Sequence, residues 1–279
     1  MFSIIIPTWN NLAYVKLCVE SIEKNSTIPF EIILHINEGS DGTLQWAKDQ
    51  NLVFSHTDYN AGICYAVNMA SALAKGDYIV YMNDDMYCCP GWDTILVDEI
   101  KQTGTDNFML SATMIEPTDT GNEAVVFADF GKTTDTFRED ELLKSLPSLQ
   151  KDDWSGSSWP PVVISKRYWQ IVGGFSIEFS PGMASDDDLA MKMWQAGCRI
   201  FKGVGKSKVY HFQTKSTTRI RKNDGRKQFV LKWGMTSSTF NKFIINKGKP
   251  YNGKLSEPSA EILKKDKLKI WFKKKFVYL

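Results

Sequence analysis

Short apolar runs at residues 2–6, 31–36, 52–55, 78–82 and 108–113 alternate with helical patterns. Residues 13–24 place Tyr14, Val15, Cys18, Val19 and Ile22 at helical spacing. A short helix follows the turn Gly39-Ser40-Asp41-Gly42, another runs over 63–74 and stops at Gly76, and a third covers 92–102. This βαβα rhythm predicts a doubly wound, mainly parallel sheet, whose ligands bind outside the carboxyl ends of the strands. Asn83-Asp84-Asp85 falls at such an end, directly after the run 78–82.

From 116 to 158 the rhythm lapses in a polar, acidic stretch that ends near Trp154 and Trp159. It resumes with a strand at 162–165, a helical turn at 166–172 broken by Gly173-Gly174, a helix at 189–196 closed by Gly197, and a strand at 199–201. Residues 209–212 read as the end of a further strand. The 279-residue length suits one α/β domain with an appendage. With 43% hydrophobic and 24% charged residues, a disordered or collagen-like chain is excluded. No run approaches the roughly 18 apolar residues of a membrane span, and Phe2 to Ile6 reads as a strand rather than a leader. Five cysteines match no zinc or disulfide framework, so a reducing, cytoplasmic setting is expected.

Charge is distributed unevenly. Residues 200–279 hold 21 Lys and Arg against 4 Asp and Glu, whereas residues 1–199 hold 13 against 28. The acidic body suits a cation, and the basic tail something negative.

Adjacent carboxylates such as Asp84 and Asp85 repel unless a cation or base lies between them. Oxygen donors of this kind suit Mg2+ or Mn2+; the plainer reading is an acidic turn ending the strand. Asp186-Asp187-Asp188 opens a helix, where the macrodipole favours acids, but three in a row exceed what capping needs. One of them facing a substrate hydroxyl would serve as a general base. His211, at a strand end, reads either as a packed side chain or as a nitrogen ligand for the same cation. His35 and His56 are given no role.

Taken together, these segments resemble family 2 glycosyltransferases. Ser3 to Asn10 is similar to the family's opening strand, and Asn37-Glu38-Gly39-Ser40-Asp41-Gly42-Thr43 to its second-strand turn. Asn60-Ala61-Gly62 with Ala66-Val67-Asn68 resembles its Asn-x-Gly and Ala-x-Asn segment. Gly76 through Asp85 looks like the strand leading into its Asp-x-Asp motif, with Asn83 in place of the first acid. Gly173-Gly174-Phe175, Ser185 to Leu189 and Ala196-Gly197 resemble its later block, with Ser185 in place of a Glu. The likeness runs from residue 3 to about 215 in the family's order.

The resemblance implies a GT-A fold, a nucleoside-diphosphate-sugar donor, Mn2+ or Mg2+, and inversion at the anomeric carbon. UDP is the first expected nucleotide, with GDP or TDP as the others. It implies donor contacts from Pro7, Thr8, Glu38, Asn60, Asn68, Asn83 and Asp84, with Lys215 on the diphosphate. Asp85 and His211 are the implied metal ligands. Asp186, or else Asp187, becomes the base. Residues 1–115 would form the nucleotide-sugar half, 116–215 the acceptor and catalytic half, and 216–279 a basic C-terminal extension.

The acceptor is expected to be a glycan or a lipid-linked glycan, bordered by Trp154 and Trp159, because aromatic faces suit sugar rings. The plainer reading is that each tryptophan is core, which is the commoner role of that side chain. In the tail, Lys264, Lys265, Lys267, Lys269, Lys273, Lys274 and Lys275 alternate with Leu268, Ile270, Trp271, Phe272, Phe276, Val277 and Tyr278. That pattern suits the face of an anionic bilayer, or a solvated helix packing its aromatics on the body. No nucleic-acid-binding motif appears. A sugar-nucleotide pyrophosphorylase would need a Gly-rich, basic loop after the first strand, and residues 7–12 have neither. The remaining alternative is an inactive sugar-nucleotide-binding protein of the same fold.

Overall fold

Strand β1 (Phe2–Trp9) sends Ile4 and Ile6 into one apolar layer and Ile5 into another, so the strand is buried on both faces. In the computed structural model, which describes residues 1–214, 222–273 and 275, this strand lies inside a ten-stranded sheet. Along the chain follow α1 (Leu12–Asn25), β2 (Phe30–Asn37), α2 (Thr43–Asp49), β3 (Val53–Thr57), α3 (Ile63–Ser71) and β4 (Tyr78–Tyr81). Then come β5 (Met86–Cys88), α4 (Trp92–Thr103), β6 (Met109–Glu116), β7 (Val126–Phe127), α5 (Glu139–Ser145), β8 (Trp154–Ser155) and β9 (Val162–Ser165). The chain continues through α6 (Lys166–Val172), α7 (Ser185–Gln195), β10 (Phe201–His211), α8 (Gly225–Trp233), α9 (Ser237–Thr239) and α10 (Ala260–Lys273).

The main strand order is β3-β2-β1-β4-β9-β6-β10-β5. β3, β2, β1 and β4 are parallel, as are β6 and β10. β9 runs against both neighbours, which leaves β4 and β6 pointing the same way. The sheet is thus mostly parallel, with β5 and β8 as further antiparallel members beside β10. Val15, Cys18 and Ile22 of α1 and Trp92 and Leu96 of α4 cover one face. Cys64 and Val67 of α3, Trp169 of α6 and Leu189 and Trp194 of α7 cover the other.

The structure departs from the sequence reading in three places. The expected strands at 199–201 and 209–212 are one strand, β10, with a register shift between Val204 and Lys208. Glycines and lysines hide its alternation. Lys202 is neutralised by Glu99 at 2.7 Å and Asp153 at 2.8 Å, and Gly203 lies flat against the Trp154 ring. β6 extends past the expected 113 to Glu116, buried along its whole length. The lapse after 116 holds α5 and a small core of its own, in which Phe130 and Leu142 pack with Tyr87 and Tyr210.

Beyond the expected boundary at 215, described residues of the C-terminal extension pack with the body. Phe229, Phe240, Ile244 and Ile245 are buried in the same cluster as α3 and α7. The Ser155 amide donates to the Lys249 carbonyl at 2.8 Å, and the Tyr251 amide to Asp153 at 2.9 Å.

A Cβ on Gly203 would stand 1.8 Å from the Trp154 ring, with no flexible end to move. Gly203→Ala is therefore expected to cost about 1–3 kcal/mol by overpacking. The urea midpoint should fall with the slope unchanged.

Candidate active site

β1, β2, β4, β6 and β10 all point one way, so their carboxyl ends share one edge of the sheet. That edge opens into a cavity of about 560 Å3. Pro7, Thr8, Asn60, Asn83, Asp84, Asp85, Trp159, Asp186 and His211, all anticipated from the sequence, line it together.

Asp84 accepts a hydrogen bond from the Thr8 hydroxyl at 2.7 Å, which ties β1 to the loop after β4. Asp85 is buried, and its Oδ2 accepts from the Thr214 amide at 2.7 Å and the Thr214 hydroxyl at 2.8 Å. Its Oδ1 stands 3.4 Å from His211 Nε2. On the other side of the imidazole, Nδ1 meets Glu116 Oε1 at 2.8 Å, and Gln213 Nε2 donates to Glu116 Oε2 at 2.9 Å. Burial alone would raise the Asp85 carboxyl, but His211 and Thr214 hold it below its usual range. Burial opposes a charged imidazole, yet Asp85 and Glu116 outweigh it and lift His211 to about 10.

The donor set fits a divalent cation in kind. Asp85 Oδ1 and His211 Nε2 face one another, and Glu116 orients the imidazole from behind, the usual support of a metal-binding histidine. Among the described residues, no three His, Cys, Asp or Glu side chains close around one point. A hard cation here would take its other ligands from substrate oxygens and water.

The three acids of α7 have different surroundings. Asp188 is fully buried; it accepts from Ser176 at 2.5 Å and Trp233 at 2.8 Å and pairs with Lys232 at 2.9 Å. Asp187 accepts from Asn241 Nδ2 at 2.9 Å and does not line the cavity. Asp186 does line it. Burial pushes the Asp186 carboxyl up to about 7; Lys247 pulls it down and Asp187 pushes it further up. Burial likewise raises Asp187 and brings Lys247 down to about 8.

Three other expected residues, Asn68, Trp154 and Glu38, are not among those that line the cavity. Asn68 exchanges hydrogen bonds with the Phe175 backbone, both at 2.8 Å, so it clamps α3 to the Gly174 turn instead of meeting a ligand. Trp154 is core: it is 3% exposed and donates to Thr113 at 3.0 Å, so it offers no ring face to an acceptor. Glu38 accepts from Trp9 Nε1 at 2.8 Å and Ser40 at 3.0 Å, next to the cavity-lining residues Trp9 and Asn37. Lys215 lies outside the described residues.

Comparison with known proteins now decides the family. Residues 3–149 match the model of Glycosyl transferase family 2. The chain belongs to that family. It is 22% identical over 196 residues to Glycosyltransferase GlyG of Streptococcus pneumoniae serotype 4, covering 68% of this chain and 64% of that protein. A PGL/p-HBAD biosynthesis glycosyltransferase of Mycobacterium tuberculosis is 33% identical over 91 residues, 30% of this chain and 35% of its own length. TarS 1-349 of S. aureus superposes with a TM-score of 0.57 at 17% identity, over 75% of this chain and 60% of that one. The mannosyltransferase PcManGT of Pyrobaculum calidifontis, solved with GDP-Man and Mn2+, gives 0.52 at 16%, over 77% and 57%. This family 2 chain spans less than two thirds of the length of each of these four proteins. The structural likeness bears out the expected GT-A fold.

Two residues of this family 2 site escaped the sequence reading. Glu116 had a usable signal, because it is an acid at the carboxyl end of an apolar strand, as Asp84 is. Lys247 had none. It reaches the acids from the C-terminal segment, donating to Ser158 at 2.7 Å with its ammonium 3.3 Å from the Trp159 ring centre. A Cβ on Gly156 would stand 2.4 Å from Lys247 Cα, which is how closely that segment is held.

Because Asp186 titrates higher when folded, the native state binds the extra proton between the ordinary carboxyl range and about 7. Its ionised form therefore weighs against folding above that window and has no effect below it. Asp186→Asn should raise Tm at pH 8, with the gain vanishing near pH 4. Asp188→Asn should lower Tm at both, since it weakens a buried ion pair; thermal unfolding of the two variants checks this.

Proposed function

We propose that this protein transfers a sugar from a nucleoside-diphosphate sugar to a hydroxyl of a glycan or lipid-linked acceptor, with inversion, in surface polysaccharide synthesis. The carrying observation is that one cavity holds both Asp186, a carboxylate tuned to near 7, and the separate pair Asp85 and His211. A base and a charge-neutralising centre are the two things such a displacement needs. The five cysteines, all thiols and all buried, suit the cytoplasmic setting read from the sequence.

In this reading Thr8, Asn60, Asn83 and Asp84 hold the nucleotide and its ribose, with Pro7 shaping the wall. Asp85 and His211 would hold Mn2+ or Mg2+, which when bound neutralises charge on the departing diphosphate. Asp186 takes the proton of the acceptor hydroxyl. The acceptor oxygen bonds to the anomeric carbon as the bond to the diphosphate oxygen breaks, and the pair of electrons leaves with the nucleoside diphosphate. Asp187, held by Asn241, pushes the Asp186 carboxyl further up, and Lys247 limits how far it rises. Trp159 borders the acceptor with Lys247 on its ring. The donor class is supported by TarS, solved with UDP and with UDP-GlcNAc, and PcManGT, solved with GDP-Man.

Thermal unfolding with Mn2+ and each of UDP, GDP, TDP and CMP tests the site. A ligand at about 100 times its Kd adds roughly 2.7 kcal/mol, enough to move Tm by several degrees. A metal-dependent shift with one diphosphate is expected, and no shift with any would remove the donor site.

Transfer should rise with pH through about 7, where Asp186 ionises. Asp186→Asn should keep the diphosphate shift but lose roughly 10^2–10^4-fold in rate. Lys247→Met removes the cation that favours ionised Asp186, so the acidic limb of kcat/KM should move up by roughly one pH unit. An unmoved limb would separate Lys247 from the base.

A further inference from the structure

Among the described residues, helix α10 is anchored through Asp266 and Ile270. Asp266, 3% exposed, accepts from the Thr236 amide at 3.1 Å and the Thr239 hydroxyl at 2.5 Å, and Ile270 is 5% exposed beside it in the helix. These contacts fix which residues point away. Leu268, Trp271 and Phe272, three and four positions apart and so neighbours on the helix surface, are 61%, 52% and 50% exposed. Lys264, Lys265, Lys267, Lys269 and Lys273 are exposed around them, and the Lys275 ammonium lies 5.0 Å from the Trp271 ring centre. Between 262 and 273 the one acid is Asp266, which is turned inward.

The charged surface continues off the helix. A groove of about 500 Å3 runs between α10 and residues 236–243, lined by Lys242, Lys269 and Lys273 together with Phe243, Phe272 and Thr236. Phe243 is 39% exposed. Three lysines around a groove with aromatic walls match a phosphate headgroup attached to acyl chain.

We propose that α10 and residues 236–243 form a docking surface for an anionic phospholipid bilayer. Trp271, Phe272, Leu268 and Phe243 enter the interfacial layer, where aromatic rings are favoured. The lysine stems lie along the apolar surface while their ammonium groups reach the headgroups. A protein partner fits poorly, since protein interfaces are depleted in lysine and this surface is built from it. Among the described residues no helix is long and apolar enough to cross a membrane, so the contact lies on the surface. This inference does not rest on the transferase reading: vesicle binding and nucleotide binding are read out separately.

The test is co-sedimentation of the full chain with vesicles of pure phosphatidylcholine and of phosphatidylcholine with phosphatidylglycerol in equal parts. The protein should pellet with the anionic vesicles, remain in solution with the neutral ones, and be released by molar salt. Lys242→Glu/Lys269→Glu/Lys273→Glu and, separately, Trp271→Ser/Phe272→Ser should each weaken anionic binding at least tenfold. Both leave Asp266 and Ile270 in place, and an unchanged Tm would certify the fold. Failure to pellet with either vesicle, or equal binding to both, would overturn the proposal. Anionic binding untouched by the aromatic changes would reduce the surface to a simple polycation and overturn it too. So would self-association in sedimentation velocity that disappears with Trp271→Ser/Phe272→Ser, because the occupant would then be a second copy.

Discussion

Three carboxylates gathered at the end of one sheet would force the strands apart if nothing stood among them. Asp84 is tied to Thr8, while Asp85 and Glu116 lie on either side of the His211 imidazole. Asp85 and Glu116 together favour the charged imidazole, so His211 ties β6, β10 and the loop after β4 to one point. Thr214 and Gln213, just beyond β10, satisfy the remaining carboxylate oxygens. Cation exchange at this point would replace a proton by a metal without rebuilding the framework, since Glu116 already fixes the ring from behind.

Most of the fold was legible because strands buried on both faces write themselves as uninterrupted apolar runs, and β1, β2, β4 and β9 do so plainly. β10 did not, because its lysines are neutralised in place and its glycines admit a tryptophan ring, neither of which leaves a trace in local sequence. The acids of α7 show the same limit. Sequence marks three candidates but not which one faces the cavity, since that depends on Trp233 and Asn241, some 50 residues away. Asn68 and Trp154 make internal hydrogen bonds, and a motif position and an aromatic side chain suggest ligands as readily as they suggest packing.

The C-terminal third is where composition misled most. Its basic charge suggested an appendage, yet up to about residue 255 it is woven into the body, with its backbone paired to residues 153–155. Lys247 brings one of those positive charges to Asp186 and Asp187. Only α10 keeps the character the charge implied, with one side anchored through Asp266 and the other rich in lysine and aromatic side chains.

β9 carries a consequence of a different kind. Among the described residues it is the strand that joins the β3-β2-β1-β4 half of the sheet to the β6-β10 half, and it arrives only at residue 162. Until it does, β4 presents an unsatisfied edge, and the two halves of the cavity have no common backbone. The segment that matches the family model ends at 149, before that ribbon. A fragment cut there would hold most of the recognisable motifs but leave an open, apolar strand edge of the kind that recruits other chains. The smallest piece that can assemble the cavity therefore needs this short reversed strand and must also reach His211 and Thr214, which line it from the end of β10 and just beyond. Synthesis must carry the chain well past its last donor-side residue before the halves can join.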